Sequence, residues 1–277
     1  MPDPKMRPRN RVDWESASLY ALFSAAALVA LIVLIAPTAI VLIMSVTSSA
    51  SLRFPPTGFS WRWYAALLDA EQMQRAAWNS LVVALWTTSI SVVLGTAAAV
   101  GIARSTRRWV RATDLMFMSP LVLPALAFGF ASLIFVYQLG LRPSLPFLII
   151  GHVIVCVPLL LRTTLAALSQ LDPALLDAST ALGAGAWRTF RRVTLPLIGR
   201  GVGAGAFLCF MASFDNVPVS LFLADERTEM LPIHLWQQIE DNLDVRTAAA
   251  SGVIVIVTLF LMIMVERLAG LTRQLRG

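Results

Sequence analysis

The sequence predicts an all-α integral membrane bundle that crosses the bilayer six times. Of its 277 residues, 57% are hydrophobic and only 14% are charged, with a mean hydropathy of +0.74. A soluble domain carries about a quarter charged residues, so this composition indicates a membrane protein. A membrane-spanning helix needs about 20 apolar residues, and uncharged stretches of this kind cover 21–44, 76–103, 115–141, 143–161 and 247–265. A sixth stretch, 201–224, contains one charged residue, Asp215.

The basic residues predict the orientation of these spans. With both termini in the cytoplasm, 16 of the 22 Lys and Arg residues lie on the cytoplasmic side, where multi-pass proteins retain them. The net charge of +6 is therefore a topology signal and not a sign of nucleic-acid binding. The first apolar run is too long for a cleaved secretion signal. The predicted layout is a cytoplasmic tail at 1–18, a six-helix domain at 19–268 with a cytoplasmic loop at 166–200, and a cytoplasmic tail at 269–277.

Small and helix-breaking residues lie within two of the predicted spans. Small side chains let helices approach closely, and in the second span they are Gly95, Ala99 and Gly101. The third span is interrupted by Pro120, Pro124 and Gly129. Two interpretations remain open for these residues: ordinary helix packing, and a span that bends in the course of function.

The histidines and cysteines are interpreted as structural residues. His152 and Cys156 are four apart, so they share a helical face, but no third or fourth metal ligand is evident and packing is the preferred interpretation. Cys156 and Cys209 both fall within spans, which argues against structural disulfides. His234 falls in the acidic segment 225–246 and is interpreted as part of a solvated loop.

The long loop between the fourth and fifth spans has the pattern helix, break, helix. Asp172 suits the N-cap and Pro173 the first helical position, whereas Gly183 suits a helix end. A second short helix is predicted to begin near Ala186 and to end by Pro196. Its apolar face carries Trp187, Phe190 and Val193 or Thr194, with arginines on the other side. Such faces fit either the lipid headgroups or a cytoplasmic partner protein.

The spacing in this loop resembles the EAA loop of permease subunits of bacterial ATP-binding-cassette (ABC) importers. The family pattern is Glu-Ala-Ala, three residues, Gly, nine residues, Ile, one residue, Leu-Pro. Every spacing is kept here, by Asp177, Ala178, Ser179, Gly183, Val193, Leu195 and Pro196. Asp replaces Glu, Ser replaces the second Ala, and Val replaces Ile. The resemblance implies a type I (MetI-like) permease bundle in which these residues, with Trp187 and Phe190, couple to an ATPase.

The region around the fifth span is similar to that of polyamine permeases, through residues 213–222 and 230–233. Those relatives often have two adjacent acids where this chain has Asp215 and Asn216. A carboxylate inside a span is costly unless it is paired or hydrated, so Asp215 and Asn216 are predicted to line the substrate pathway. Hydration near an interface and pairing with a partner subunit are the alternatives for Asp215. The resemblance implies a polyamine substrate, while neighbouring permeases carry opines, aminophosphonates or ferric iron.

The resemblance also implies the other components of an ABC importer. A periplasmic substrate-binding protein delivers substrate, a second homologous permease completes a heterodimer, and a cytoplasmic ABC ATPase dimer binds ATP and Mg²⁺. No Gly-x-x-x-x-Gly-Lys-Ser/Thr phosphate loop occurs in this sequence, so no cofactor and no enzymatic activity are expected of this chain. The predicted location is the lipid bilayer of the bacterial inner membrane. The alternatives fit less well. A secondary transporter needs more coupling carboxylates than Asp215 alone. An intramembrane enzyme needs a nucleophile and a base, and the scattered Ser, His and Cys residues form no such set.

Overall fold

The computed structural model describes residues 14–105, 108–241 and 244–269, and its regular secondary structure is helical. Within these residues lie α1 Trp14–Ser45, α2 Arg62–Leu67, α3 Glu71–Arg104, α4 Arg108–Val122, α5 Ala125–Gln138, α6 Leu145–Ser169, α7 Pro173–Ala181, α8 Ala186–Thr189, α9 Leu195–Phe214, α10 Val217–Leu223, α11 Leu231–Asp241 and α12 Val245–Ala269. A π-helical turn, Phe190–Thr194, joins α8 to α9. Residues 1–13 and 270–277 of the predicted tails lie outside the described residues.

The helices account for the predicted spans. Five are long and apolar enough to cross a membrane: Ser18–Ser45, Glu71–Ala103, Leu145–Ser169, Ala186–Phe214 and Val245–Arg267. Leu115–Val122 in α4 and Ala125–Gln138 in α5 are long and apolar enough only when taken together; they are bent by 104° relative to one another and give a sixth span if the pair is counted as one. The fold class is confirmed. The fifth span begins well before the predicted residue 201, because its first turns carry the arginines that end the uncharged run.

The bend in the third span lies at Pro124, which is the N-cap of α5. Proline disfavours the helical conformation of the residue before it and has no N–H to donate, so α4 ends at Val122 and a new helix begins at Ala125. Pro120 is accommodated inside α4. The prediction that Gly129 interrupts the span is wrong, because α5 is helical on both sides of it.

Helices α3, α6 and α9 pack against one another to form the centre of the subunit. A Cβ atom at Gly95 of α3 would lie 2.8 Å from the Cδ2 atom of Leu160 on α6, so the glycine permits the close approach of these helices. Ala99 is fully buried in the same face. The small-residue prediction is confirmed for these two positions. It is wrong for Gly101, which is exposed and has open space at its Cβ position.

Helix α1 packs on α12, with the short helix α2 against α12 beside it. The hydroxyl oxygens of Tyr64 on α2 and Ser45 at the end of α1 are 2.8 Å apart. A Cβ atom at Gly252 of α12 would lie 2.6 Å from that tyrosine hydroxyl. The indole N–H of Trp63 donates to the carbonyl of Thr47 at 2.9 Å. The segment 45–70 therefore closes one end of the α1–α12 pair.

Segment 225–246 contains a helix, α11, where the sequence analysis expected a loop. His234 is 5% exposed, and its Nδ1 atom lies 3.2 Å from the Glu229 carboxylate. The side-chain amide of Gln238 lies 3.1 Å from the other ring nitrogen of His234. The prediction of a solvated His234 is wrong, because α11 is amphipathic and turns this histidine toward the protein.

Candidate functional site: the loop before the fifth span and the break in that span

The first helix of the loop, α7, begins and ends as its sequence predicts. The Asp172 carboxylate accepts a hydrogen bond from the backbone N–H of Ala174 at 2.9 Å, which is an N-cap. At the other end, Gly183 has φ +77°. The N–H of Gly183 donates to the Thr180 carbonyl at 2.9 Å and the N–H of Ala184 to the Ser179 carbonyl at 3.1 Å. This pair of bonds is a Schellman motif, which needs the left-handed conformation that glycine adopts without strain.

Two side-chain contacts lie at the junction of α7, α8 and the π-helical turn. The Ser179 and Thr189 hydroxyl oxygens are 2.9 Å apart, and Thr189 is 3% exposed. The Trp187 and Phe190 rings lie with centroids 5.6 Å apart. The hydroxyl contact fixes α7 relative to α8 and therefore relative to the fifth span.

The prediction that the second helix of the loop ends by Pro196 is wrong. This helix runs through the π-helical turn Phe190–Thr194 into α9, where the Leu195 N–H donates to the Phe190 carbonyl five residues earlier. A proline ring crowds the carbonyl four residues before it, and a π turn is wider than an α turn. The helical path is thus continuous from α8 through the π-helical turn into the fifth span.

The loop presents an exposed apolar surface. Leu182 is 88% exposed, Trp187 72% and Leu175 45%. Gly183 is exposed in the same loop, as are Asp177, Ala178, Leu195 and Pro196, whereas Ser179, Phe190 and Val193 are partly buried. Arg188, Arg191 and Arg192 are also exposed. Large exposed apolar side chains on a loop are typical of an interaction surface.

The second predicted site, Asp215 and Asn216, lies where the fifth span breaks. Helix α9 ends at Phe214 and α10 begins at Val217. Because this break lies at Asp215, the premise that its carboxylate lies within a continuous helical span is wrong. The Asp215 side chain is exposed in the single chain. The side-chain oxygen of Asn216 accepts from the Val219 N–H at 2.9 Å and caps α10.

Asp215 lines a cleft of about 290 Å³ whose other described lining residues are apolar except Thr258. These residues come from α9, α11 and α12 and include Phe214, Leu235 and Ile254. A larger apolar groove of about 640 Å³ runs along α9 between α3 and α12. Five residues line both: Met211, Phe214, Leu231, Ile254 and Thr258. The carboxylate therefore lies at the end of a mostly apolar groove, at the opposite end of α9 from the loop 166–200.

The family model described as a binding-protein-dependent transport system inner membrane component matches residues 91–274, which include both sites. The chain belongs to this family. The permease is 26% identical over 231 residues to the spermidine/putrescine transport system permease protein PotC of Escherichia coli K12, covering 83% of this chain and 88% of PotC. It is 27% identical over 260 residues to the putrescine transport system permease protein PotI of the same strain, covering 88% and 92%.

The fold of the permease is similar to that of a chain in a bacterial alginate ABC transporter, solved in complex with an alginate pentasaccharide-bound periplasmic protein. The TM-score is 0.72 at 17% identity, with 92% of this chain and 94% of that chain covered. Together with the family match, this likeness identifies the protein as a permease subunit of an ABC importer. It is accordingly a multi-pass protein of the inner membrane.

One feature of the permease's fifth-span break has no signal in the sequence pattern. His152 of α6 is fully buried, as the packing interpretation predicts, but both of its ring nitrogens have hydrogen-bond partners. Nδ1 is 2.8 Å from the Ser213 hydroxyl and Nε2 is 3.1 Å from the Ser220 hydroxyl. Cys156, one turn further along α6, has its thiol 3.5 Å from the Cys209 carbonyl. The two serines are 61 and 68 residues from the histidine, so local sequence spacing does not reveal them.

Proposed function

We propose that this permease imports a small organic cation of the polyamine class and is driven by a cytoplasmic ATPase dimer that binds its loop 166–200. The exposed carboxylate of Asp215, at the end of an otherwise apolar groove, carries the substrate part of the proposal. A polyamine combines ammonium groups with methylene chains. A carboxylate attracts the ammonium group, and the apolar wall accepts the methylenes. The names of the relatives PotC and PotI support the same substrate class.

The exposed apolar side chains of the loop 166–200 support the ATPase partner. Leu182, Trp187 and Leu175 are apolar side chains exposed on a loop that the bilayer core does not cover in this topology. Docking on a protein buries them, with Gly183 allowing close backbone approach because its Cβ position faces open space. ATP and Mg²⁺ then belong to the ATPase, and the permease itself carries neither a cofactor nor an enzymatic activity.

The remaining parts of the proposal follow from topology. The excess of Lys and Arg in the inside segments orients both termini and the coupling loop toward the cytoplasm. The Asp215 cleft then lies toward the periplasm, where a substrate-binding protein delivers the cation. A second, homologous permease covers the open groove beside α9, completing a heterodimeric pathway.

The first test is purification of the tagged permease in mild detergent with mass spectrometry of the co-purifying proteins. An ATPase and a second permease are expected. A permease that is stable and repeatedly alone would overturn the coupling part of the proposal.

The second test is uptake of radiolabelled putrescine and spermidine by proteoliposomes of the complex. In Asp215→Asn the KM for the cation is expected to rise by about tenfold or more, because a hydrogen bond to a charged group stabilises by about 1.5–3 kcal/mol. Asp215→Glu keeps the charge and should retain most of the affinity. Glu71→Gln removes a carboxylate that is exposed elsewhere and serves as the control. An unchanged KM in Asp215→Asn would overturn the substrate proposal.

A further inference from the structure

His152 lies opposite the break in the fifth span and contacts both sides of it. Ser213 is in the last turn of α9 and Ser220 is inside α10, so the two serines flank Asp215 and Asn216. All three side chains, His152, Ser213 and Ser220, are fully buried. A single imidazole therefore connects the helix before the break to the helix after it.

The two ring nitrogens of His152 have different hydrogen-bonding roles. A neutral imidazole has one N–H donor and one nitrogen acceptor. One serine hydroxyl therefore accepts from the ring while the other donates to it. Neither serine alone is enough to satisfy the ring, and a buried imidazole nitrogen without a partner is costly. The arrangement favours one separation and one angle between α9 and α10.

The backbone at the break lacks the helical hydrogen bonds that would otherwise set the angle between α9 and α10. Asp215 has φ −102° and ψ 20°, and Asn216 has φ −80° and ψ 94°, so the helical hydrogen bonding is interrupted between them. Beyond the break, α10 lies in a slot between α5 and α6. A Cβ atom at Gly129 would collide with the Pro218 carbonyl oxygen, and one at Gly151 would lie 2.8 Å from Leu223 and Val219. The slot holds α10, and the histidine fixes the end of α9 relative to it.

We propose that His152 is a positioning residue for cation recognition. By bonding Ser213 and Ser220 it sets the angle of the break, and that angle aims the Asp215 carboxylate into the cleft. The imidazole does not touch the substrate. This inference rests on the proposed function, because it assigns His152 a role only through Asp215.

The test is a double-mutant cycle measured as KM and kcat for putrescine uptake by the reconstituted complex. Ser220→Ala removes one hydrogen bond and little volume, so it is preferred to His152→Ala, which leaves a cavity. Ser220→Ala is expected to raise KM roughly fivefold with kcat unchanged. In the Asp215→Asn background the same substitution should raise KM no further, because two residues that act through one group are not additive.

Ser132→Ala is the matched control. It also removes a hydroxyl, but that hydroxyl donates to the Phe128 carbonyl of its own helix and connects no two elements. Its KM should equal that of the wild type. Thermal unfolding of each variant in detergent separates loss of fold from loss of affinity.

Three outcomes distinguish the proposed function from the positioning role of His152. An unchanged KM in Ser220→Ala overturns the inference. The inference is also overturned if Asp215→Asn raises KM as expected and Ser220→Ala raises it further in the double variant. His152 would then be a purely structural residue. An unchanged KM in Asp215→Asn overturns the proposed function and this inference with it.

Discussion

Ser179 and Thr189 approach with their hydroxyl oxygens 2.9 Å apart, and this contact joins α7 to the helix that leads into the fifth span. Without it, the glycine turn and packing join α7 to α8 in the described part of the chain. A net hydrogen bond contributes about 1 kcal/mol, which is roughly a fivefold change in the population of the joined arrangement. We expect Ser179→Ala to reduce the rate of uptake severalfold while the KM for substrate stays the same.

The control for this prediction is Thr180→Val on the same helix. The Thr180 hydroxyl donates to the Asp177 carbonyl within α7 and does not contact α8. Uptake kinetics and ATP hydrolysis by the reconstituted complex are the measurements. A raised KM in Ser179→Ala, or an equal loss in Thr180→Val, would contradict the assignment.

Gly183 and Gly185 offer a second comparison, because a Cβ atom meets nothing within 4 Å at either position. Only Gly183 has a positive φ, +77°, whereas Gly185 has φ −68°. A side chain in the left-handed region costs about 1–2 kcal/mol. We expect Gly183→Ala to uncouple ATP hydrolysis from uptake and Gly185→Ala to leave both unchanged. Full transport by Gly183→Ala would count against the docking role of this turn.

Much of this fold follows from the sequence because the bilayer imposes a simple rule. Uncharged runs of sufficient length predicted the spans, and the caps at Asp172 and Gly183 are local signals that the structure reproduces. The predicted helix end at Pro196 is wrong, although a proline usually stops or kinks a helix. Here a π-helical turn before the proline lets the helix continue, and the spacing of side chains does not predict that turn.

The candidate substrate site was predictable only in part. Asp215 stands out as the one charge in an apolar run, but its exposure depends on a break in the helix. The bonds from His152 to two distant serines depend on how α6, α9 and α10 pack. The prediction of a solvated His234 is wrong for the same reason. A histidine among acidic residues does not show which face of a helix it occupies. Tertiary contacts between distant segments carry the information that local patterns lack.

The glycines that line the slot of α10 give a third prediction. A Cβ atom at Gly151 would lie 2.8 Å from both Leu223 and Val219, so Gly151→Ala overpacks this contact at a cost of about 1–3 kcal/mol. Gly101 is also in a helix but faces open space. There, alanine removes a flexible residue and is expected to stabilise the helix by about 0.5–1 kcal/mol. Thermal unfolding in detergent should show opposite shifts, and equal shifts would contradict the slot.

Asp225 gives a prediction about pH in the turn between α10 and α11. Its Oδ1 atom accepts from the Thr228 hydroxyl at 2.7 Å and from the backbone N–H groups of Thr228 and Arg227 at 2.8 and 3.0 Å. These bonds, the hydroxyl bond foremost, favour the charged form and lower the pKa of the carboxyl. The carbonyls of Arg227 and Glu229 accept from the Asn79 side chain, so the turn fastens this segment to α3.

Because the folded-state pKa is lowered, the stabilisation is present above the unfolded pKa of about 3.9 and is lost as the pH falls through the folded value. We expect amide hydrogen exchange in 225–230, corrected for its intrinsic rate, to be slow at neutral pH and to accelerate below about pH 4. In Asp225→Asn the side chain cannot ionise, so the exchange of this segment should already be faster at pH 7 and should lose its acid dependence. The same acid profile in Asp225→Asn and in the wild type would assign the transition to another group and remove Asp225 as the residue that fastens the turn.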